Sequence, residues 1–270
     1  IQLQAEGLAK RLRHINCKSA VIGLSGGLDS TLALLVTAKA FDLCGTPRNC
    51  IHAITMPCFG TTDRTYNNAC SLAKSVGAEL MEVRIAESVR SHMKDIGQDE
   101  NVHDVTYENC QARERTQVLM DYANKTNGIV IGTGDLSELA LGWCTYNGDH
   151  MSMYGVNSSI PKTLVRYLVE WFSDEAENMG NTGESEVLRD ILDTPVSPEL
   201  LPPENGKISQ KTEDLVGPYE LHDFYLYYLL RFGFSAEKIL FLAEHAEDLK
   251  KYDTETKKKW LLKFYKRFFS

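Results

Sequence analysis

The 270-residue chain has no apolar run near the roughly twenty residues that a membrane-spanning helix needs, so no membrane partner is expected. It also has no excess of positive charge. Lys and Arg number 29 against 37 Asp and Glu, for a net charge of −8. That balance argues against the phosphate backbone of nucleic acid as the main partner. The seven cysteines, at 17, 44, 50, 58, 70, 110 and 144, contain no pair with the two-residue spacer of a zinc site. No secretory signal is visible, so reduced structural thiols and a cytoplasmic location are expected. Proline is scarce, and four of the eight fall between Thr194 and Pro203, which reads as loop. There is no internal repeat and no linker long enough to separate domains.

What the chain does have is a short stretch around which the rest is arranged: Ser25-Gly26-Gly27-Leu28-Asp29-Ser30. Ala20 to Leu24, with Gly23 and Leu24 at its end, reads as a buried strand. Leu28 to Phe41 carries apolar residues at a helical period. The glycines therefore sit at a strand-to-helix turn, where backbone N–H groups can approach a ligand closely. Helix N-termini attract anions, phosphate above all. Ser25 and Ser30 add hydroxyl donors. Asp29 is awkward in a phosphate cradle unless a cation such as Mg²⁺ lies between the two. No lysine follows the last glycine, which excludes a Walker-type loop.

Along the chain, Ile1 to Cys17 predicts an amphipathic helix with Leu8, Leu12 and Ile15 inward. Cys50 to Met56 predicts a second strand, Asp63 to Val76 a helix, Ala78 to Ile85 a third strand and Ala86 to Lys94 a helix. Gly97 to Asp104 reads as loop, Glu108 to Thr126 as a long helix and Gly128 to Gly132 as a fourth strand. Strands alternating with helices imply a parallel, doubly wound α/β sheet, with ligands beyond the carboxyl ends of its strands. Residues 25–30, 56–62 and 132–138 should then line one cleft. Beyond Gly142 the alternation is expected to stop. Pro161 to Glu177 predicts a helix with Leu164, Leu168, Trp171 and Phe172 as its core stripe. Tyr219 to Phe232, Ala236 to Glu247 and Thr254 to Phe269 complete a helical tail. The expected organisation is one domain over 1–270, with a sheet-bearing nucleotide-binding core over 1–160 and a helical C-terminal extension over 161–270.

Three further stretches carry chemistry. Gly132-Thr133-Gly134-Asp135-Leu136-Ser137-Glu138 repeats the strand-to-helix turn and offers Glu138 as a second carboxylate for Mg²⁺. Glu108-Asn109-Cys110-Gln111-Ala112-Arg113-Glu114-Arg115 holds two arginines that cannot share a helix face, so one could reach phosphate while the other makes a surface ion pair. Gly142 to Asp149, including Trp143 and Tyr146, forms an aromatic and polar loop suited to stacking on a ring and hydrogen-bonding a sugar. Lys162 follows Pro161 at a helix start, where a cation makes better sense with an anionic ligand nearby.

The first stretch resembles the pyrophosphate loop of the N-type ATP pyrophosphatases, and all four in this order resemble NAD synthetase. The likeness extends to Glu213-Asp214-Leu215-Val216-Gly217-Pro218-Tyr219 and covers roughly residues 1 to 230. It is nearest to the synthetase half of the glutamine-dependent, two-domain members. The resemblance implies a sheet of the adenine nucleotide alpha hydrolase type. It implies amidation of deamido-NAD to NAD with ATP as co-substrate, ammonia as nitrogen donor, and AMP and pyrophosphate as products. By the same resemblance, Gly23, Leu24, Ser25, Gly26, Gly27, Asp29 and Ser30 hold ATP, with Met56, Arg113, Thr133 and Lys162. Asp29 and Glu138 hold Mg²⁺ and, with Lys162, form the catalytic group. Asn109, Trp143, Tyr146 and Asp149 fall on the deamido-NAD side. Family members form homodimers, and the same is expected here.

Two departures from the family pattern stand out. Many members carry a lysine before Tyr-Gly-Asp, whereas this chain reads Tyr146-Asn147-Gly148-Asp149. The chain also stops at Ser270 within a basic amphipathic helix (Lys257, Lys258, Lys259, Lys263, Lys266, Arg267), read as a docking element with a solvated basic face. No glutaminase domain is recognisable, so ammonia would be free or delivered by a domain elsewhere in a longer protein, of which a start at Ile1 is suggestive. The rival readings are another pyrophosphate-loop enzyme, GMP synthetase-like or tRNA-thiolating, and a non-catalytic adenine-nucleotide-binding module.

Overall fold

A computed structural model describes residues 1–148, 150–194 and 215–270. Five strands form one sheet: β1 (Ala20–Gly23), β2 (Ile51–Thr55), β3 (Glu79–Glu82), β4 (Ile129–Gly132) and β5 (Tyr154–Gly155). Their order is β3-β2-β1-β4-β5 and every neighbouring pair is parallel. β1 and β4 are nearly continuous in Val and Ile, as strands covered on both faces must be. β3 is different: its two glutamates and mostly exposed side chains belong to a sheet edge protected by charge. β5 departs from the expectation that alternation ends at Gly142. With two residues it is too short to register as a period in the sequence.

Helices cover both faces: α1 (Gln2–His14), α2 (Leu28–Cys44), α3 (Asp63–Val76), α4 (Ala86–Ile96) and α5 (Val105–Thr126). α6 (Leu136–Leu141), α7 (Lys162–Asn178) and α8 (Thr182–Leu192) follow. α2 is buried almost all round, from Leu28 to Phe41, because the sheet lies on one side of it and α1 and α7 on the other. Ile15 falls just past the end of α1 and is 39% exposed rather than packed inward.

The buried stripe of α7 is Val165, Val169, Ser173 and Ala176, while Leu164 and Trp171 are exposed and Leu168 and Phe172 half-buried. The stripe expected from the sequence consists of the bulkiest side chains. The structure uses the smallest, because α8, which was not anticipated, packs closely there. The Oγ atoms of Ser173 and Ser185 lie 3.0 Å apart across that contact. α7 and α8, though they begin beyond residue 160, thus share one core with α1, α2 and α3.

The last helices are α9 (Tyr219–Phe232), α10 (Ala236–His245) and α11 (Thr254–Phe268). They bury their own cluster, including Leu221, Tyr225, Ile239, Leu261 and Phe264, to which α6 adds Leu141. α11 docks as its amphipathic pattern predicts, through Leu261 and Phe264. Lys257, expected on the solvated face, is instead buried, with its carbonyl accepting from the Tyr225 hydroxyl at 2.9 Å. Among the described residues no helix is long and apolar enough to cross a membrane.

Candidate active site

Strand order reverses at β1, with β2 and β3 on one side and β4 and β5 on the other. At such a point the loops leaving neighbouring strands diverge and open a crevice. The loops after β1 and β4 flank a cleft of about 490 Å³ here, and the end of β2 contributes Met56. Gly23, Leu24, Ser25, Gly27, Asp29 and Ser30 lie on its wall. Gly26 does not, for a structural reason. Its φ is +83°, and a Cβ there would collide with the Thr65 carbonyl on α3, so only glycine lets the loop pass so close.

No side chain caps the N-terminus of α2 at Gly27, whereas Thr62 closes α3 and Asp104 closes α5. The first-turn N–H groups of α2 are thus left for a ligand. Around them the Ser25 and Ser30 hydroxyls lie 3.0 Å apart, and Ser25 Oγ accepts from Gly27 N–H at 3.2 Å.

Across the crevice Asp135 and Glu138 form a capping box that starts α6: Asp135 Oδ1 accepts from Glu138 N–H at 2.8 Å. Their remaining oxygens turn inward to Lys162, the first residue of α7. Its Nζ lies 2.7 Å from Asp29 Oδ2, 2.8 Å from Asp135 Oδ2 and 2.7 Å from Glu138 Oε1. Lys162 is 4% exposed and its ammonium stands 5.4 Å from the centre of the Tyr219 ring. The sequence points to an anionic ligand beside this helix-start lysine; in the fold its ammonium meets three protein carboxylates.

Burial works to lower the Lys162 pKa, but Asp29, Glu138 and Asp135 together outweigh it and hold the ammonium well above an ordinary lysine. The acids respond in the opposite sense. Burial first, with Glu138 and Asp29 adding to it against the pull of Lys162, pushes Asp135 up to about 8. Burial and the Asp29 charge likewise raise Glu138. Three carboxylates sharing one cation carry more negative charge than this enclosed place tolerates. One oxygen of each lies within 4.8 Å of the others, and Asp29 Oδ1 is buried with no hydrogen-bond partner. Surplus charge, oxygen donors and an orphaned acceptor fit a hard divalent cation such as Mg²⁺.

A family model described as NAD synthase matches residues 1–261. The chain belongs to the NAD synthase family. It is 47% identical over 249 residues to the glutamine-dependent NAD(+) synthetase of Mycobacterium tuberculosis, covering 90% of this chain and 36% of that one. To the Mycobacterium leprae protein of the same name it is 43% identical over 288 residues, covering 99% of this chain and 42% of that one. The chain thus spans less than half the length of these relatives. The solved structure of NMN synthetase from Francisella tularensis superposes with a TM-score of 0.69 at 25% identity, covering 93% of this chain and 94% of that one.

Thr133 and Trp143 stand on the cleft wall with the loop. Arg113 does not. It is exposed, and its Nε donates to the Tyr146 carbonyl at 3.3 Å. Arg115 lines the cleft instead, since two residues along a helix turn the side chain to another face. Asn109 and the exposed Tyr146 also lie off the wall, and Asp149 and Glu213-Asp214 lie outside the described residues.

Besides the Asp135 carboxylate, which has no role in the sequence reading, two contributors in this NAD synthase fold were missed. Buried Asn157 donates through Nδ2 to the carbonyls of Asp29 and Thr133, at 3.0 and 3.1 Å, and ties the two loops together. Arg267, on α11, lines the cleft, where Nη1 donates to the Leu141 carbonyl at 3.0 Å and the guanidinium lies 5.4 Å from the Trp143 ring centre. Nothing local in the sequence marks Asn157. Arg267 was visible only as one charge of a basic helix.

Proposed function

We propose that this site amidates deamido-NAD to NAD at the expense of ATP. The nicotinate carboxylate attacks the α-phosphorus, pyrophosphate leaves, and ammonia then displaces AMP from the acyl adenylate. The observation that carries this reading is the Lys162 cluster with Asp29, Asp135 and Glu138 at the mouth of an uncapped loop-to-helix turn. A protein that merely holds a nucleotide has no use for such a concentration of acids around one ammonium, whereas phosphoryl chemistry needs positioning and charge neutralisation. The α2 N–H groups and the Ser25 and Ser30 hydroxyls would hold the β- and γ-phosphates. Met56 and Thr133, on the wall of the same cleft, would flank the rest of the nucleotide. Lys162 would leave its carboxylates to meet the charge growing on pyrophosphate. Mg²⁺, held by Asp29 and Glu138, would supply Lewis-acid neutralisation of the phosphate oxygens.

The wider assignments form part of the same proposal. Trp143 would stack against a ring, with Asn109, Tyr146 and Asp149 on the deamido-NAD side. A homodimer would complete that side. Ammonia would come from solution or from a glutaminase domain of a longer cytoplasmic protein, as the names and lengths of the mycobacterial relatives suggest.

The test is a product assay with Mg²⁺–ATP, ammonium and either deamido-NAD or nicotinate mononucleotide, with Asp29→Ala as control. The second acceptor is included because an NMN synthetase matches along nearly its whole length. Equal yields of NAD, AMP and pyrophosphate, lost in the control, are expected. Turnover with the mononucleotide alone would reassign the acceptor. Nucleotide binding without turnover, undiminished in the control, would leave only a binding module.

A further inference from the structure

Asp223 lies on α9, is 8% exposed and takes no part in the cleft wall. Its surroundings connect it to Lys162. A cation at the first position of a helix opposes the helix dipole, and Pro161 before it offers no side-chain cap. The first N–H groups of α7 would therefore be orphaned in a buried place. Both come to rest on groups from other elements. Lys162 N–H donates to Ser137 Oγ at 2.9 Å, and Thr163 N–H donates to Asp223 Oδ2 at 2.8 Å. The Thr163 hydroxyl donates to that same oxygen at 2.7 Å, while the Ser137 hydroxyl donates to Asp223 Oδ1. A single carboxylate thus caps α7 from outside and grips, through Ser137, the residue next to Glu138.

We propose that Asp223 is a positioning residue for the reaction: it fixes the backbone origin of Lys162 relative to Glu138. The ammonium can then pass from the carboxylates to the triphosphate while the start of α7 stays in place. This rests on the reading that Lys162 meets the ATP phosphates. The rival account makes Asp223 a peg that only docks α9 against α6 and α7.

A double-mutant cycle separates the two accounts. The probe is α,β-methylene-ATP with Mg²⁺, whose affinity is measured by calorimetry for the whole chain, Asp223→Asn, Lys162→Ala and the pair. A positioning residue acts through Lys162. Asp223→Asn should then weaken binding roughly tenfold in the native background and less than about twofold once Lys162 is gone, as expected of residues in one network. A docking peg would cost the same factor in both backgrounds. Equal factors, or no effect in the native background, would overturn the proposal. If Asp223→Asn fails to fold, Ser137→Ala removes one arm of the same network and decides the question by the same comparison. NAD formation by the unaltered chain is measured beside it. Its failure would sink the synthetase reading without touching the coupling, which is read in nucleotide affinity.

Discussion

Asp29 is the residue with most at stake. One of its oxygens is on Lys162, the other is buried without a partner, and its carbonyl is tied to Thr133 through Asn157. Asp29→Asn keeps the shape but removes the charge that a divalent cation would need. We expect kcat/KM for ATP to fall roughly 10²–10³-fold, the range seen when one pre-organised electrostatic contact is lost. Steady-state kinetics at saturating ammonium, with the Mg²⁺ dependence of the rate, check this. Gly26 fails differently. Gly26→Ala meets both a φ of +83° and the Thr65 carbonyl, so at least the ordinary strain of about 1–3 kcal/mol should appear in urea unfolding, with weakened nucleotide binding. An alanine variant of undiminished stability and affinity would show that the loop has room there. The glycine, serine and aspartate of this turn were legible because strand, turn and helix must coincide for it to work. The choice between Arg113 and Arg115 was not. Helical spacing says that the two diverge, and only packing says which one faces the cleft.

Among the elements, the boundaries of α3, with capping residues before it, and of α9, from its pattern alone, could be read from the sequence, and both coincide with the observed spans. β5 and α8 escaped: the first is two residues long, and the second gains its burial from small side chains on α7 that look unremarkable alone. α11 was legible as a docking helix, but not its Arg267 contact with the cleft. Among the described residues Arg267 has no acidic partner within ion-pair distance, so its charge can serve an anionic ligand. Arg267→Ala should weaken Mg²⁺–ATP binding by roughly 10–150-fold, the size of one charge-assisted contact. Calorimetry checks it, and unchanged affinity would return α11 to a purely structural role.

α9 carries a pH signature. His222 is 1% exposed with its Nε2–H donating to the Val216 carbonyl at 2.9 Å, and burial keeps the ring neutral against the pull of that bond. Burial, more than the nearby Lys263 and Arg267, lowers its pKa from 6.5 to about 4. Between those values the unfolded chain binds a proton that the folded one refuses. The contribution of His222 is therefore present above pH 6.5 and lost as pH falls toward 4, up to about 3 kcal/mol in all. Urea unfolding from pH 7 to 4 should show this slope, and His222→Gln should flatten it. An equal slope in the variant would place the titration elsewhere.

For the whole molecule, the sheet supplies the crevice, its two loops supply phosphate donors and carboxylates, and the C-terminal helices reach back through Asp223 and Arg267. The family was legible because its motifs fall at strand ends, where mechanism constrains residue type. Contacts between distant elements were not, since each rests on residues far apart in sequence.

In the proposed reaction the nicotinate carboxylate is joined to the α-phosphorus of ATP before ammonia arrives. Deamido-NAD labelled with ¹⁸O in that carboxylate tests it directly, by mass spectrometry of the products. Attack at the α-phosphorus places one labelled oxygen in AMP and none in pyrophosphate. Label in pyrophosphate, or ADP in place of AMP, would contradict the account.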